Sequence, residues 1–580
     1  MNTPHGRSLW RLYCALLGVG ILLRAVDLWR PVNGTVREAW RECDIAAVAR
    51  NFYVEGMNIL YPRVDWRGDG PGFAEMEFPG LSWSIAGLYK IFGFHEELGR
   101  IIPFAFSIAS LLVFLRLATS YLKPTASVVA VAFFVAHPLG IRISNSLQPE
   151  AAMLCLLLLA VYGFMRWLEQ GGSRWFWLAA AGTSCALLAK INALHIGLLF
   201  FGLLLVRKGI SSLWSRRIWV LALVAVLPAA LWYAHAHRLW MEYHNSLGLS
   251  NEYHWVGWDF FTNPRFLLGI LRIELLFVWM PLGWLVGGYA LRKERGPTVQ
   301  ALLLWLGAVF VYYVVTSRTT SEDWAIYYHV VSVPPAAMLF GSGAGLLVER
   351  WGRGAWGGLC AAFVLGLAMV AGRLVLGFSP NIPVAVAVTV TTAAVLTASA
   401  FREGLPKRLF LWRTRVVDSL VLFSAASSFV FFGFRVAKDV HPRHMQAMYE
   451  CAEQIRPTIS EDALIVASGG RKVDEDGYPL AINAPYLFYW LGHKGFNLAI
   501  EDQSIAALTE LACRGAHFFV AERDALAQQA GFEEQLRQRF PLLAECDELE
   551  FFLLTREEAD EDREASSARV LSNPVGKGQR

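Results

Sequence analysis

Charge is what this chain has least of: Asp, Glu, Lys and Arg make up 17% of its 580 residues, while 55% are apolar and 13% aromatic. An ordinary soluble domain is about 25% charged overall, so a soluble enzyme is excluded and a polytopic membrane protein is indicated. The formal net charge is only +4, and the basic residues are spread over short connectors, which gives no single-sign patch for nucleic acid. The eight cysteines contain no CxxC pair, so neither a zinc ribbon nor a dense disulfide framework is expected. Cys451, Cys513 and Cys546 lie in the polar C-terminal part, where two of them could pair in an oxidising compartment. The Gly469-Gly470-Arg471 turn has neither phosphate-cradling glycine pattern, which argues against a nucleotide there. No small-residue cleavage site follows the first apolar run, which Arg24 interrupts, so that run reads as a retained span.

What the chain does have is a series of apolar runs. A helix needs about 20 apolar residues to cross a bilayer, fewer when packed inside a bundle. By that measure roughly thirteen spans are predicted, near 8–27, 100–120, 125–141, 151–167, 175–189, 191–206, 218–234, 266–291, 299–316, 327–348, 356–376, 382–401 and 416–434. Arg and Lys cluster in alternate connectors, around Arg116, Arg166, Arg207, Arg292, Arg350 and 402–415, which makes that side cytoplasmic by the positive-inside rule. The connectors 28–99, 142–150, 235–265, 317–326 and 377–381 then face outward. This phase holds only if Pro79 to Phe94 lies in the interface without crossing. From about 440 to 555 strand-like and helical stretches alternate, which suggests a small extracytoplasmic α/β domain. Residues 556–580 read as a disordered tail. The expected organisation is therefore a transmembrane domain over 1–435 with a long first outward loop at 28–99, followed by an α/β domain over 436–555.

Two carboxylates stand out because topology puts both at the outward face. Asp44 falls in a polar helix after the first span, and Glu150 follows Gln148-Pro149 at the start of another span. A carboxylate at such a position can act as the general base that takes a proton from an acceptor hydroxyl; the plainer reading of Asp44 is an exposed acid beside Arg41 or Arg50. Glu77, followed by Phe78-Pro79, and Glu150 suit a divalent cation, Mg²⁺ or Mn²⁺ with oxygen ligands, or Zn²⁺ with help from His235, His237, His244 or His254. For Glu150 the alternative is a helix N-terminal charge. Lys190 and Arg272 lie at the membrane level, where fixed cations hold lipid phosphates, although snorkelling or an inter-helix ion pair explains either one alone. Glu274, two residues from Arg272, points elsewhere on a helix. Arg63, Arg67, Arg318 and the pair Tyr327-Tyr328 before His329 are further candidates for a substrate rim.

The acidic helix at Asp44, Glu77-Phe78-Pro79, Glu97 to Arg100, Leu147-Gln148-Pro149-Glu150, Lys190 and Tyr327-Tyr328 ahead of Pro334-Pro335 occur in an order that resembles GT-C membrane glycosyltransferases, specifically the bacterial protein-mannosyltransferase and aminoarabinose-transferase-like family. The resemblance implies an all-α membrane bundle of GT-C type and a polyprenyl-phosphate-linked sugar donor, with Asp44 in the catalytic role. It places Glu77 and Glu150 at metal-binding or loop-organising positions; with the membrane-level and rim residues read above, the expected substrate-binding set is Lys190, Arg272, Arg67, Tyr327 and Tyr328. Relatives often have Lys-Pro-Pro after the acid where this chain has Phe78, so a phosphate must find its cation elsewhere. The expected function is transfer of a sugar to a lipid, glycan or protein hydroxyl at the outer face of the cytoplasmic membrane. A transporter or flippase is the alternative, although no two-fold internal repeat is found. A structural assembly factor is a third class.

Overall fold

The computed structural model describes residues 4–34, 38–250, 255–377, 409–441 and 444–554. The chain divides into two compact units, the first made of 1–62, 75–242 and 254–444 and the second of 63–74, 243–253 and 445–580. Parts of two loops thus belong with the C-terminal unit, which the sequence boundary near 435 did not anticipate.

The first unit is helical. Its main elements are α1 (Pro4–Ala25), α2 (Ala39–Glu55), α3 (Gly80–Phe92), α4 (Ile101–Tyr121), α5 (Pro124–Ala136), α6 (Glu150–Gln170), α7 (Ser173–Ala189), α8 (Ile196–Lys208), α9 (Arg216–Tyr243), α10 (Pro264–Ile273), α11 (Gly283–Lys293), α12 (Pro297–Val315), α13 (Val333–Leu376) and α14 (Leu409–Asp439). Among the described residues eight helices are long and apolar enough to cross a membrane, and a bent pair makes a ninth, so the protein is a multi-pass membrane protein. The expected thirteen is not reached for identifiable reasons. The predicted spans at 327–348 and 356–376 lie within one helical run that turns at Gly352, where φ is +58°. The span expected at 382–401 lies outside the described residues.

Two further expected spans are interrupted. The one predicted over 125–141 stops at His137, whose extended ψ of 123° is what a following proline imposes. The one predicted over 266–291 bends by 91° between α10 and α11, after a π-helical turn at Glu274–Val278. The two breaks meet: His137 Nε2 lies 3.0 Å from the Val278 carbonyl oxygen, and the contact is buried. Helix α3 spans 13 residues, about 20 Å at 1.5 Å per residue against roughly 30 Å of hydrocarbon, in keeping with a segment that does not cross. Elsewhere the bundle packs backbone on backbone: a Cβ on Gly433 would stand 2.2 Å from the carbonyl oxygen of Gly366, so α13 and α14 cross at a distance only glycine permits.

The second unit holds a five-stranded sheet. Helix α15 (Gln446–Ile455) precedes β1 (Leu464–Ser468); α16 (Pro485–Leu491), β2 (Lys494–Leu498), α17 (Ile505–Cys513), β3 (Ala516–Glu522), α18 (Phe532–Arg539), β4 (Leu542–Glu545) and β5 (Leu549–Leu553) follow. The strand order is β2-β1-β3-β5-β4, with β1 parallel to both neighbours and β5 antiparallel to β3 and β4. Val466, Phe519 and Phe552 of the sheet share an apolar core with Leu508, Ala512 and Leu536 of the helices. Cys451 and Cys546 form a disulfide across 95 residues of sequence, while Cys513 is free and exposed. The segment 63–74 attaches here: Gly68 N–H donates to the Gly495 carbonyl and Gly495 N–H to that of Asp65, and Arg514 pairs with Asp69 at 2.9 Å.

Candidate active site

Helix α2 is buried around most of its circumference although it carries Arg41, Glu42 and Asp44. Buried charge is costly unless paired, and the helix solves this by facing its charges in two directions. Residues three apart share a face and adjacent ones do not, so Arg41 and Asp44 look one way and Glu42 another.

Glu42 faces a structural hub. Arg100, fully buried at the start of α4, forks onto both Glu42 carboxylate oxygens at 3.0 and 3.1 Å. Its remaining donors reach the carbonyls of Arg30 at 2.7 Å, Pro31 at 3.0 Å and Asn145 at 2.6 Å. The Glu42 carboxylate also accepts from Leu147 N–H at 3.3 Å. One Arg–Glu pair thereby ties the segment after α1 and the loop before α6 to the helix that carries Asp44.

On the other face Arg41 makes a buried ion pair with Glu77. Burial alone would lower the Arg41 guanidinium, but Glu77 and then Asp44 outweigh it and raise it. Burial would likewise raise the Glu77 carboxyl, yet Arg41 and then Lys190 hold it below the usual carboxylate range. Asp44 is itself buried, 4% exposed, so the exposed-acid reading is corrected. Lys190, at the junction after α7, pairs with Glu150 in the first turn of α6. Its ammonium sits 4.3 Å from the ring centre of Tyr328 and 5.2 Å from that of Tyr327, within cation–π range. Asp44, Arg41, Glu77, Lys190, Glu150 and the two tyrosines therefore form one electrostatically continuous cluster.

The tyrosines are held from behind. His329 presents Nδ1 to Glu274 Oε1 at 2.7 Å and Nε2 to the Thr320 carbonyl at 2.7 Å, and the Ser332 hydroxyl donates to Glu274 at 2.7 Å. This network joins the π-turn to the segment bearing Tyr327 and Tyr328.

Other sequence candidates have partners of their own. Arg272 pairs with Asp323 at 2.9 Å, with both side chains 50% exposed. Arg67 belongs to the second unit, where its Nη1 donates to the Pro71 carbonyl at 2.8 Å. Phe78, where the resemblance implies a lysine, packs edge-on against Trp232 with centroids 5.2 Å apart. The role of Arg41 as the link between Asp44 and Glu77 was missed, although its position three residues before Asp44 was the available signal.

The expected metal does not fit this arrangement. Among the described residues no three His, Cys, Asp or Glu side chains converge on one point. Glu77 and Glu150 each already oppose a cation of the protein, His235 engages the Leu60 carbonyl at 2.7 Å, and His254 lies outside the described residues. The two glutamates are organisers of Arg41 and Lys190 here, and no step is routed through an ion.

Comparison with known proteins agrees with this picture. A family model described as dolichyl-phosphate-mannose-protein mannosyltransferase matches residues 74–233, a stretch that contains Glu77, Glu150 and Lys190. No curated protein sequence matches the chain. Among solved structures, apo ArnT from Cupriavidus metallidurans is similar with a TM-score of 0.59 at 15% identity, covering 95% of this chain and 99% of that one. The same enzyme bound to undecaprenyl phosphate gives 0.56 at 16% identity, covering 96% and 99%. Similarity that extends over nearly the whole of both chains shows that this protein shares the fold of ArnT.

Proposed function

We propose that this protein is a glycosyltransferase that moves a sugar from a polyprenyl-phosphate donor to an acceptor hydroxyl at the outer face of the cytoplasmic membrane. The observation that carries the reading is the cluster that gathers Asp44, Arg41, Glu77, Lys190 and Glu150 from four separate elements of a membrane bundle. The ArnT likeness supports it, one of those structures being bound to undecaprenyl phosphate. The Cys451–Cys546 disulfide supports an oxidising, extracytoplasmic setting for the second unit, in line with the Lys/Arg bias of the alternate connectors.

In this reading Lys190 and Arg41 hold the donor phosphate, charge-assisted contacts that strengthen as negative charge builds on the leaving group. Asp44 accepts the acceptor hydroxyl proton as the new bond forms. Glu77 and Glu150 keep the two cations in place and their charge balanced while the site is empty. The substitution Asp44→Asn keeps the shape and removes the base, and loss of a positioned general base costs about 10²- to 10⁴-fold. Transfer from a radiolabelled polyprenyl-phosphate sugar by purified, folded Asp44→Asn protein at more than a tenth of the parent rate would refute the assignment.

A further inference from the structure

A cavity of about 380 Å³ opens among the Lys/Arg-rich helix ends, bounded by the α4–α5 turn, the α11–α12 loop and α13. None of the residues of the Asp44 cluster lines it. Its floor is small and apolar: a Cβ added to Gly345 would meet the Cβ of Ala126 at 2.8 Å, so α5 and α13 press together and leave only a narrow slot. Its mouth carries charges of both signs, Lys123 and Arg295 with Glu294 and Glu349. Lys123 Nζ donates to Glu349 Oε2 at 3.0 Å, and the charge of Glu294 also acts on Lys123. Both side chains are partly exposed, 58% and 40%, so the pair stands at the open mouth with its remaining donors and second carboxylate oxygen accessible to a headgroup. Helices α5 and α12 both begin at this cavity, with Pro124 and Pro297, and their first turns add partial positive charge.

We propose that this cavity holds the headgroup of a phospholipid bearing a phosphate and a primary ammonium, at the bilayer surface opposite to the Asp44 cluster. The phosphate lies against Lys123, Arg295 and the two helix N-termini, and the ammonium donates to Glu349 and Glu294. An anionic headgroup would set its net charge against two carboxylates. A quaternary ammonium has no N–H to donate to them, so the chemistry selects an ethanolamine-type lipid. The inference is independent of the transfer reaction.

The test uses the full chain purified in detergent and stripped of lipid, titrated with short-chain phosphatidylethanolamine, phosphatidylcholine and phosphatidylglycerol and with soluble phosphoethanolamine, with binding read by native mass spectrometry. Phosphatidylethanolamine is expected to bind about tenfold more tightly than the other two lipids, the value of one charge-assisted hydrogen bond. Glu349→Gln and Glu294→Gln should each erase that preference, while Lys123→Gln should weaken all three lipids together. Arg295→Gln, at an exposed loop position, repeats the Lys123 measurement should that variant fold poorly. Equal binding of the three lipids, or a preference that survives both glutamate changes, overturns the proposal. Soluble phosphoethanolamine binding as tightly as the lipid overturns the lipid assignment in favour of a free phosphoamine.

Discussion

Replacing Arg100 by Lys keeps the charge and tests the geometry of the hub. The guanidinium makes five hydrogen bonds, two to Glu42 and one each to the carbonyls of Arg30, Pro31 and Asn145. An ammonium has three donors on a single atom, so at least two of these acceptors lose their partner in a site with no exposure of the Arg100 side chain. Each buried polar group left unpaired costs about 1–3 kcal/mol, so a loss of about 2–6 kcal/mol is expected. Arg100→Met removes the charge and strands Glu42, whose next cation, Arg30, stands at 3.7 Å; breaking a buried pair in this way costs about 3–5 kcal/mol. The double change Glu42→Gln with Arg100→Met should then cost much less than the sum of the single changes, a coupling a double-mutant cycle reads directly. Unfolding of the purified chain in mixed micelles, followed by tryptophan fluorescence on denaturant titration, measures all three. Arg100→Lys within about 0.5 kcal/mol of the parent, the ordinary range for a surface substitution, would show that the hub does not hold α2 in place.

Three further outcomes are expected. Lys190→Gln leaves the buried Glu150 without its cation and should raise the KM for the lipid-linked donor about tenfold or more, measured by initial rates over donor concentration; an unchanged KM would remove Lys190 from phosphate binding. Reduction of the Cys451–Cys546 bond, which closes 95 residues of chain, should destabilise the second unit by about 4–5 kcal/mol on a loop-entropy account; hydrogen exchange of β1 and β5 unaffected by reductant would contradict it. In the same unit burial pushes the Glu522 carboxyl up to about 7, against a hydrogen bond from the Tyr486 hydroxyl. A folded-state value above the ordinary one means that the native state holds the proton longer, so its contribution is full below about pH 4.5 and is lost as pH rises towards 7, in total about 3 kcal/mol. Glu522→Gln should flatten that slope in hydrogen exchange measured from pH 5 to 7, and a slope unchanged by the substitution would count against it.

Much of the membrane unit was legible because bilayer crossing demands long apolar runs, and long runs survive any reading error of a few residues. The interruptions were not. His137 and the Glu274–Val278 turn sit inside apolar stretches, and the contact between them gives the Val278 carbonyl a partner where the chain leaves regular helical geometry. In the second unit the strands around Ile465, Phe519 and Phe551 announced themselves as short β-branched and aromatic runs. Strand β2, Lys-Gly-Phe-Asn-Leu, did not, since Gly495 and Asn497 disfavour strands; Gly495 is required there because a Cβ would lie 1.9 Å from the Ile465 carbonyl oxygen. Between β3 and α18 a short helical turn at Arg523–Leu526 stays separate from α18, which Gly531 precedes with a φ of +80°. Of the candidate site, the acids and Lys190 could be read from their places at span ends. Which acid pairs with which cation could not, because Arg41 to Glu77 and Lys190 to Glu150 are contacts between elements 36 and 40 residues apart.

Inside a bilayer a peptide carbonyl without a partner has no water to turn to. The imidazole of His137, freed where Pro138 halts one helix, occupies the carbonyl of Val278 where another helix folds back on itself. Each irregularity is therefore tolerable only in the company of the other. Straightening either one, by Pro138→Ala or by restoring a regular α-helical register after Ile273, is expected to leave the opposite partner buried and unpaired, so the two breaks form one unit that substitution should remove together more readily than one at a time.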